Sequence, residues 1–529
     1  MSSLRPLCLI VCTTALAACG NNATDPAGAT PDAALEADAA PDPAARPALF
    51  APDPAAPADD DPQPAEFEDL NPDPAVVEVD LTASETTQAF LPGAPTRVWA
   101  YNGRVPGPTL SARPGDRVIV HFHNRLPEAT TIHWHGLRVP LDQDGVPVDG
   151  GVAPGADRDY DFVVPDAGTF WYHPHVRSDE QVERGLYGAI RVAEAAPVAE
   201  VELPERVLVL DDVLLEADGA LADFDYTDDD AHLGAHAGHL GTVMLGREGN
   251  LLLVNGVANP ALHLDRARPE RWRVVNAANA RYLNLSLPGY RVRRLASSGG
   301  LLPAPEAVPD SGLVLVPGER ADLLVEATAD TPDTVVLRAL AYDRGHGTDS
   351  RPDVDLARVQ ATGVAPAAPL ALPEPLRAFE PLESVASHPR VVLNETVAIP
   401  GGHEAHGATG DAPAEAAEAP AEPVFTINGE VFPEVTPMEA GVGRTVSWDI
   451  VNDSQMDHPF HLHGFFFAVP PNAAGRNARP GLHDTINIPR RDTVRIQFQP
   501  DDRPGDWMFH CHILEHAERG MIGVLRVAP

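Results

Sequence analysis

The sequence predicts an all-β protein made of three successive blocks of short strands, each packed as a sandwich. Three observations lead there. Short runs with every second residue apolar, or rich in β-branched residues, recur along most of the chain. Turn pairs such as Pro106-Gly107, Pro114-Gly115 and Asp144-Gly145 separate them. Sustained helical periodicity is nearly absent, and 529 residues suit about three domains of ordinary size.

The first block, residues 75–196, carries candidate strands at Val76 to Asp80, Arg117 to Phe122, Tyr160 to Val164 and Ala189 to Val192. The second, 200–366, carries them at Val207 to Leu210, Leu251 to Val254, Arg271 to Val275 and Asp322 to Val325. The third, 385–529, has Thr445 to Val451 and Thr493 to Phe498, and is interrupted at 401–423 by an Ala-, Glu- and Gly-rich stretch expected to be a flexible insert.

Ahead of these blocks stand an address and a tether. Arg5 is followed by a short apolar stretch, Leu7 to Ala18, too short to span a bilayer. It ends in Leu16-Ala17-Ala18-Cys19, which resembles a bacterial lipobox. That resemblance implies cleavage after residue 18 and lipid on Cys19, hence an exported lipoprotein on the periplasmic side of a membrane. Gly20 rather than aspartate then points to the outer membrane. Cys8 and Cys12 leave with the signal, so Cys511 is the lone cysteine of the folded region. Residues 20–74 hold thirteen Asp or Glu against Arg46 alone, with twelve prolines. Such a segment buries too little apolar surface to offset chain entropy and is expected to be a disordered acidic tether.

Composition excludes several functions. The 44% hydrophobic content is enough for real cores, so a wholly disordered chain is ruled out. Formal net charge is −39, and all 38 basic residues are arginine. That surface repels phosphate backbones, so no nucleic-acid partner is expected. No run of about twenty apolar residues follows the N-terminus, leaving the lipid on Cys19 as the expected membrane contact.

Histidines carry the chemistry. Four segments hold pairs with one residue between them: His133-Trp134-His135, His173-Pro174-His175, His461-Leu462-His463 and His510-Cys511-His512. On a strand, residues i and i+2 share a face, so each pair can aim two imidazoles into one cavity. Eight neutral nitrogen donors suffice for about three metal ions with open positions. His121 and His123 have the same spacing without matching flanks and are expected to be structural.

Parity separates a second site. Cys511 lies between His510 and His512 and so faces the other way. His458, three residues before His461, also faces away from its pair. His516 and Met521 complete Cys-x4-His-x4-Met. One thiolate, two imidazoles and a thioether form the ligand set of a blue-copper electron-transfer centre.

From about residue 75 to 529 the chain resembles the multicopper oxidase family, whose copper signatures these motifs match. The resemblance implies three consecutive cupredoxin-like Greek-key β-sandwich domains, with a trinuclear cluster between the first and third and a copper-free second. It implies four copper ions: type 1 on His458, Cys511, His516 and Met521; type 2 on His133 and His461; a type 3 pair on His135, His173, His175, His463, His510 and His512. It also implies reduction of O2 to water, driven by one-electron oxidation of a reductant. Asp144, nine residues after His135, matches an acidic residue beside the oxygen entry. Glu515, just before His516, matches a second proton-relay carboxylate. The glutamine usual a little beyond Asp144 is absent.

The reductant is less constrained. Six methionines in all disfavour a methionine-lined cuprous channel, with Met244 alone in the expected insert. That insert carries Asp228, Asp229, Asp230, His232, His236 and His239, and the 401–423 insert carries His403, Glu404 and His406. Such carboxylates and imidazoles could gather Cu(II), iron or manganese, but both loops are expected to be simply polar and solvated. A laccase-like oxidase of phenols or aromatic amines is expected, the alternatives being an oxidase of Cu(I), Fe(II) or Mn(II), or a non-catalytic copper-binding module. Loss of ligands would mark the last, and none is lost.

Overall fold

Alternation along the first long strand shows how the pattern becomes architecture. In Val76–Leu91, Val79, Leu81 and Ala83 point into the core while Asp80 between them faces solvent. This strand pairs in parallel with Arg117–Arg125 and antiparallel with Ala94–Tyr101. The computed structural model describes residues 61–147, 150–224, 243–346, 348, 351–397 and 423–529.

Each block forms a two-sheet sandwich. The first sets the sheet Ala94–Tyr101, Val76–Leu91, Arg117–Arg125, Asp157–Val163 against Gly107–Ala112, Gly188–Val192, Gly168–His173, His133–His135. Its core includes Val120, Phe122, Trp134, Tyr160 and Tyr172. The second pairs a six-stranded with a five-stranded sheet around Trp272, Leu285 and Leu323. The third does likewise around Trp448, Phe460, Phe498 and Phe509. Truncating one of these buried aromatics to alanine costs about 3–5 kcal/mol.

In the third sandwich, the five-stranded sheet positions the chemistry. Its order is Met438–Gly441, Ile522–Ala528, Gly505–Cys511, His458–Leu462, Thr485–Ile488. Two short helices, which strand periodicity could not foretell, follow the histidine segments: Ser178–Glu183 and Leu514–Glu518. They meet where the Ser178 N–H and hydroxyl donate to Glu518 Oε1 at 2.7 and 2.8 Å, tying the first sandwich to the third.

One boundary needs correction. The tether expected through residue 74 gives way to packed chain by residue 61. The Asp61 N–H donates to Ala261 O (2.7 Å), Asn255 Nδ2 to Pro62 O (2.9 Å) and Thr109 N–H to Ala65 O (2.6 Å). Asp61 also pairs with Arg206. Backbone bonds and an ion pair, rather than apolar periodicity, hold this proline-rich strap, which explains why composition alone missed it. The signal segment with Cys19, the tether up to residue 60 and the 228–239 insert lie outside the described residues. So does the 401–423 insert except for Pro423, which opens the strand Pro423–Ile427.

Candidate metal centres

Strand pairing sets the histidines side by side. In the first sandwich His133–His135 runs antiparallel to Gly168–His173, with His133 opposite His173. In the third, His461 lies opposite His510 and Phe460 opposite Cys511. Docking of the two sandwiches stacks His133 on His463 at 4.0 Å between ring centres and His135 on His461 at 3.8 Å. His175, His463 and His510 group together, as do His133, His135 and His173, and His133, His461 and His463. His512 lies 5.0 Å from His135 and 5.6 Å from His173, ring to ring. All eight predicted imidazoles thus line one buried cavity.

Their hydrogen bonds choose which nitrogen faces inward. The Nδ1–H groups of His133, His173, His461 and His510 donate to the carbonyls of Asp144, Pro174, Asp484 and Cys511 at 2.8, 2.9, 3.0 and 2.8 Å. A carbonyl only accepts, so Nε2 of each ring is left with its lone pair. Nε2 of His133, His173 and His461, Nδ1 of His135 and both nitrogens of His512 have no partner at all. Buried orphans in such number are rare without a ligand, and converging imidazole lone pairs fit a soft-to-borderline metal cluster. Burial holds His135, His173, His175, His461 and His510 well below the usual imidazole range. It brings His463 to about 4 and His512 to about 3. These rings are therefore neutral donors at neutral pH.

Asp144 serves two of them. Its backbone carbonyl accepts from His133 and its Oδ2 from His463 Nδ1 at 2.8 Å, while Oδ1 stays unpartnered. Burial would raise this carboxyl, but its pairing with His463 and His133 outweighs that and holds the group far below the carboxylate range, so it stays ionised. Glu515 is placed differently. Its Oε1 accepts from Asn279 Nδ2 at 3.2 Å, Oε2 is unpartnered, and burial followed by the charge of Asp179 raises it to about 8.

On the opposite face of the strand, as parity requires, the Cys511 Sγ lies 3.5 Å from His458 Nδ1 and 3.6 Å from His516 Nδ1. His458 Nε2 is bonded to Ser454 Oγ at 2.9 Å and His516 Nε2 donates to Met244 O at 3.1 Å, so both rings turn Nδ1 toward the sulfur. Met521 is buried in the same core cluster, its carbonyl accepting from the Cys511 N–H at 3.1 Å. Burial lowers His458 to about 4 and drives the Cys511 thiol far up, so a thiolate here needs a cation beside it. His121 and His123, by contrast, sit on a solvent face, His121 between Glu78 (2.9 Å) and Asp159 (2.8 Å), His123 beside Asp157 (3.0 Å).

Family descriptions of multicopper oxidases match residues 82–197 and 407–529. The chain belongs to the multicopper oxidase family. It is similar to the multicopper oxidase mco of Staphylococcus aureus, 26% identical over 84% of this chain and 88% of that protein. It is also similar to a laccase of Bacillus subtilis, 27% identical over 81% of this chain and 90% of that one. Among solved structures it resembles a multicopper oxidase of Campylobacter jejuni described as a metallo-oxidase. That likeness has a TM-score of 0.76 and 28% identity over 91% of this chain and 97% of the other. The enzyme is therefore a copper oxidoreductase that uses O2, with cupredoxin-like β-sandwich domains.

Four residues around these centres escaped sequence reasoning. Asp484 and Thr485 touch His135 and His461, Arg320 of the second sandwich binds Asp484, and Glu395 approaches His458. Only Gly136, just after His135, hinted at the crowding. Its φ is +90°, and a Cβ there would meet Arg320, Asp484 (2.6 Å) and Phe170 (2.8 Å).

Proposed function

We propose that the enzyme is laccase-like, oxidising phenols or aromatic amines one electron at a time. His458, Cys511, His516 and Met521 would hold type 1 copper, His133 and His461 type 2, and His135, His173, His175, His463, His510 and His512 the type 3 pair. Bound copper supplies one-electron transfer at the sulfur site and four-electron reduction of O2 to water at the cluster. The chain's own residues do the rest. Peptide bonds join Cys511 to His510 and His512, a covalent route between the two sites. Burial keeps His135, His173, His175, His461, His463, His510 and His512 neutral. Asp144 and Glu515, each with one oxygen free of hydrogen bonds, are the carboxyls placed to relay protons to the cluster. The observation carrying this reading is the buried Cys511 thiol, the one cysteine among the described residues, whose neighbours belong to the eight-imidazole cavity.

A second reading, oxidation of a metal ion, is favoured by one contact. Glu395 Oε2 has no partner and lies 4.0 Å from His458 Nε2, while Oε1 pairs with His346 Nε2 at 2.6 Å. Carboxylate and imidazole suit Fe(II) or Mn(II). O2 uptake with a phenolic dye and with Cu(I), Fe(II) and Mn(II) separates the readings. A dye rate above every ion rate supports the first; an ion preference lost in Glu395→Gln supports the second.

We also propose that Cys19 anchors the enzyme to the periplasmic side of a membrane, most simply the outer one. Lipid on Cys19 in a membrane fraction is the expected result, and a wholly soluble protein with another N-terminus contradicts it.

A further inference from the structure

Among the described residues, the second sandwich offers no metal ligand to either centre and reaches the imidazole cavity through one side chain. Arg320 opens the strand Arg320–Ala327 and is fully buried. Its guanidinium has five N–H donors, and all five are used. Nε donates to Thr169 O (3.1 Å), Nη1 to Gly318 O (3.0 Å) and Asp484 Oδ1 (2.7 Å), Nη2 to Ser298 O (3.0 Å) and Asp484 Oδ2 (2.6 Å). Thr169 belongs to the first sandwich and Asp484 to the third, so the three meet at this fork.

A chain of hydrogen bonds runs on from the fork into the cavity. Asp484 Oδ1 accepts the Thr485 hydroxyl at 2.8 Å. With its single proton committed there, Thr485 Oγ1 acts only as an acceptor toward histidine. It lies 3.0 Å from His135 Nε2 and 3.1 Å from His461 Nδ1, which also donates to the Asp484 carbonyl. Those contacts put the protons on His135 Nε2 and His461 Nδ1. The lone pairs left over are His135 Nδ1 and His461 Nε2, the two orphans of these rings.

The same carboxylate is a hazard to the site. Asp484, His135 and His461 offer ligand atoms within 4.8 Å of one another, so a released carboxylate could bind the metal itself. Gly318, two residues before Arg320, also backs His512, where a Cβ would come within 2.8 Å of the ring. The second sandwich is thus built up to the cavity wall.

We propose that Arg320 is a positioning residue for the copper cluster. It pins Asp484 bidentately, so that Asp484 and Thr485 fix the tautomers of His135 and His461 and the carboxylate stays out of copper coordination. This rests on the multicopper oxidase reading of the cavity.

The test compares copper-loaded wild type with Arg320→Gln, Arg320→Lys, Asp484→Asn and the Arg320→Gln/Asp484→Asn pair. Bound copper per chain, the blue band and the type 2 copper EPR signal are recorded. In Arg320→Gln the blue band persists, because Cys511 faces away, while copper retention against a chelator falls about 10–100-fold or the EPR signal gains oxygen-ligand character. Arg320→Lys, which keeps the charge but not the fork, lies between. The paired variant recovers the wild-type signal, since no carboxylate remains to intrude. An Arg320→Gln protein that is blue and has wild-type retention and an unchanged signal overturns the proposal. If Arg320→Gln does not fold, the Arg320→Lys spectrum decides by the same criteria. Wild type lacking the type 2 signal would instead refute the cluster reading itself.

Discussion

The sulfur site draws its four side chains from one sandwich, His458 from one strand and Cys511, His516 and Met521 from a single strand-turn-helix segment. The imidazole cavity needs strands from two sandwiches and a buried arginine from the remaining one, with contacts such as His135 to Thr485 joining distant parts of the chain. The groups that hold the ligand side chains differ as well. Around Cys511 the partners are a serine hydroxyl and a backbone carbonyl. Around the imidazoles they are carboxylates and carbonyls, with Asp144 and Asp484 each serving two rings. A locally encoded site tolerates movement between domains; a shared one makes copper retention depend on how the domains dock.

The largest expected effect breaks the sulfur site alone. Cys511→Ser removes the blue absorption and oxidase activity while the histidine cavity still binds copper, read by visible spectra and metal analysis. Next comes the cavity alone. Asp144→Asn stays blue and is reduced by substrate normally, but reoxidation by O2 slows by roughly 10²-fold. Stopped-flow mixing without and then with oxygen separates the two halves; slow bleaching with normal recolouring would assign Asp144 to the substrate side. Glu515→Gln tests a carboxyl bonded to Asn279 rather than to an imidazole, and a smaller slowing of the same step is expected. A slowing equal to that of Asp144→Asn would make the two acids equal members of one relay.

Met521→Leu sharpens the comparison from the other side: the colour stays and the type 1 potential rises, because a weak axial donor is lost. An unchanged potential in a redox titration would mean Met521 is packing only.

The smallest effect concerns His121, whose i, i+2 spacing imitates a ligand pair. The hydrogen bond it donates to Glu78, then that to Asp159, raise it above the ordinary imidazole range. A raised folded-state value stabilises fully below the unfolded value of about 6.5 and is lost as pH rises through the folded value. His121→Gln therefore flattens thermal stability against pH just above that point and leaves copper content alone; loss of copper would make His121 a ligand.

Much of this was legible in the sequence. Period-two alternation located the strand Thr493–Phe498 and the first residues, Val76 to Asp80, of the longer strand Val76–Leu91, and the one-residue gap in four histidine pairs gave the cavity's donors. Parity about Cys511 separated the sites because strand geometry is local. Arg320 was invisible because no spacing rule links one sandwich to another. Asp484 and Glu395 share a sandwich with His461 and His458, but a lone acid in a strand or turn looks solvated until packing buries it. The strap at 61–74 was hidden for a related reason, being held by hydrogen bonds instead of an apolar pattern.

Anaerobic reductive titration of copper-loaded wild type and Cys511→Ser tests the division most directly. Wild type is expected to bleach a blue band as it takes up electrons. The variant, colourless from the start, should take up one electron fewer and keep an EPR-visible copper in the histidine cavity. A variant that remained blue, or one that lost all its copper along with the thiol, would contradict two separately built centres joined at Cys511.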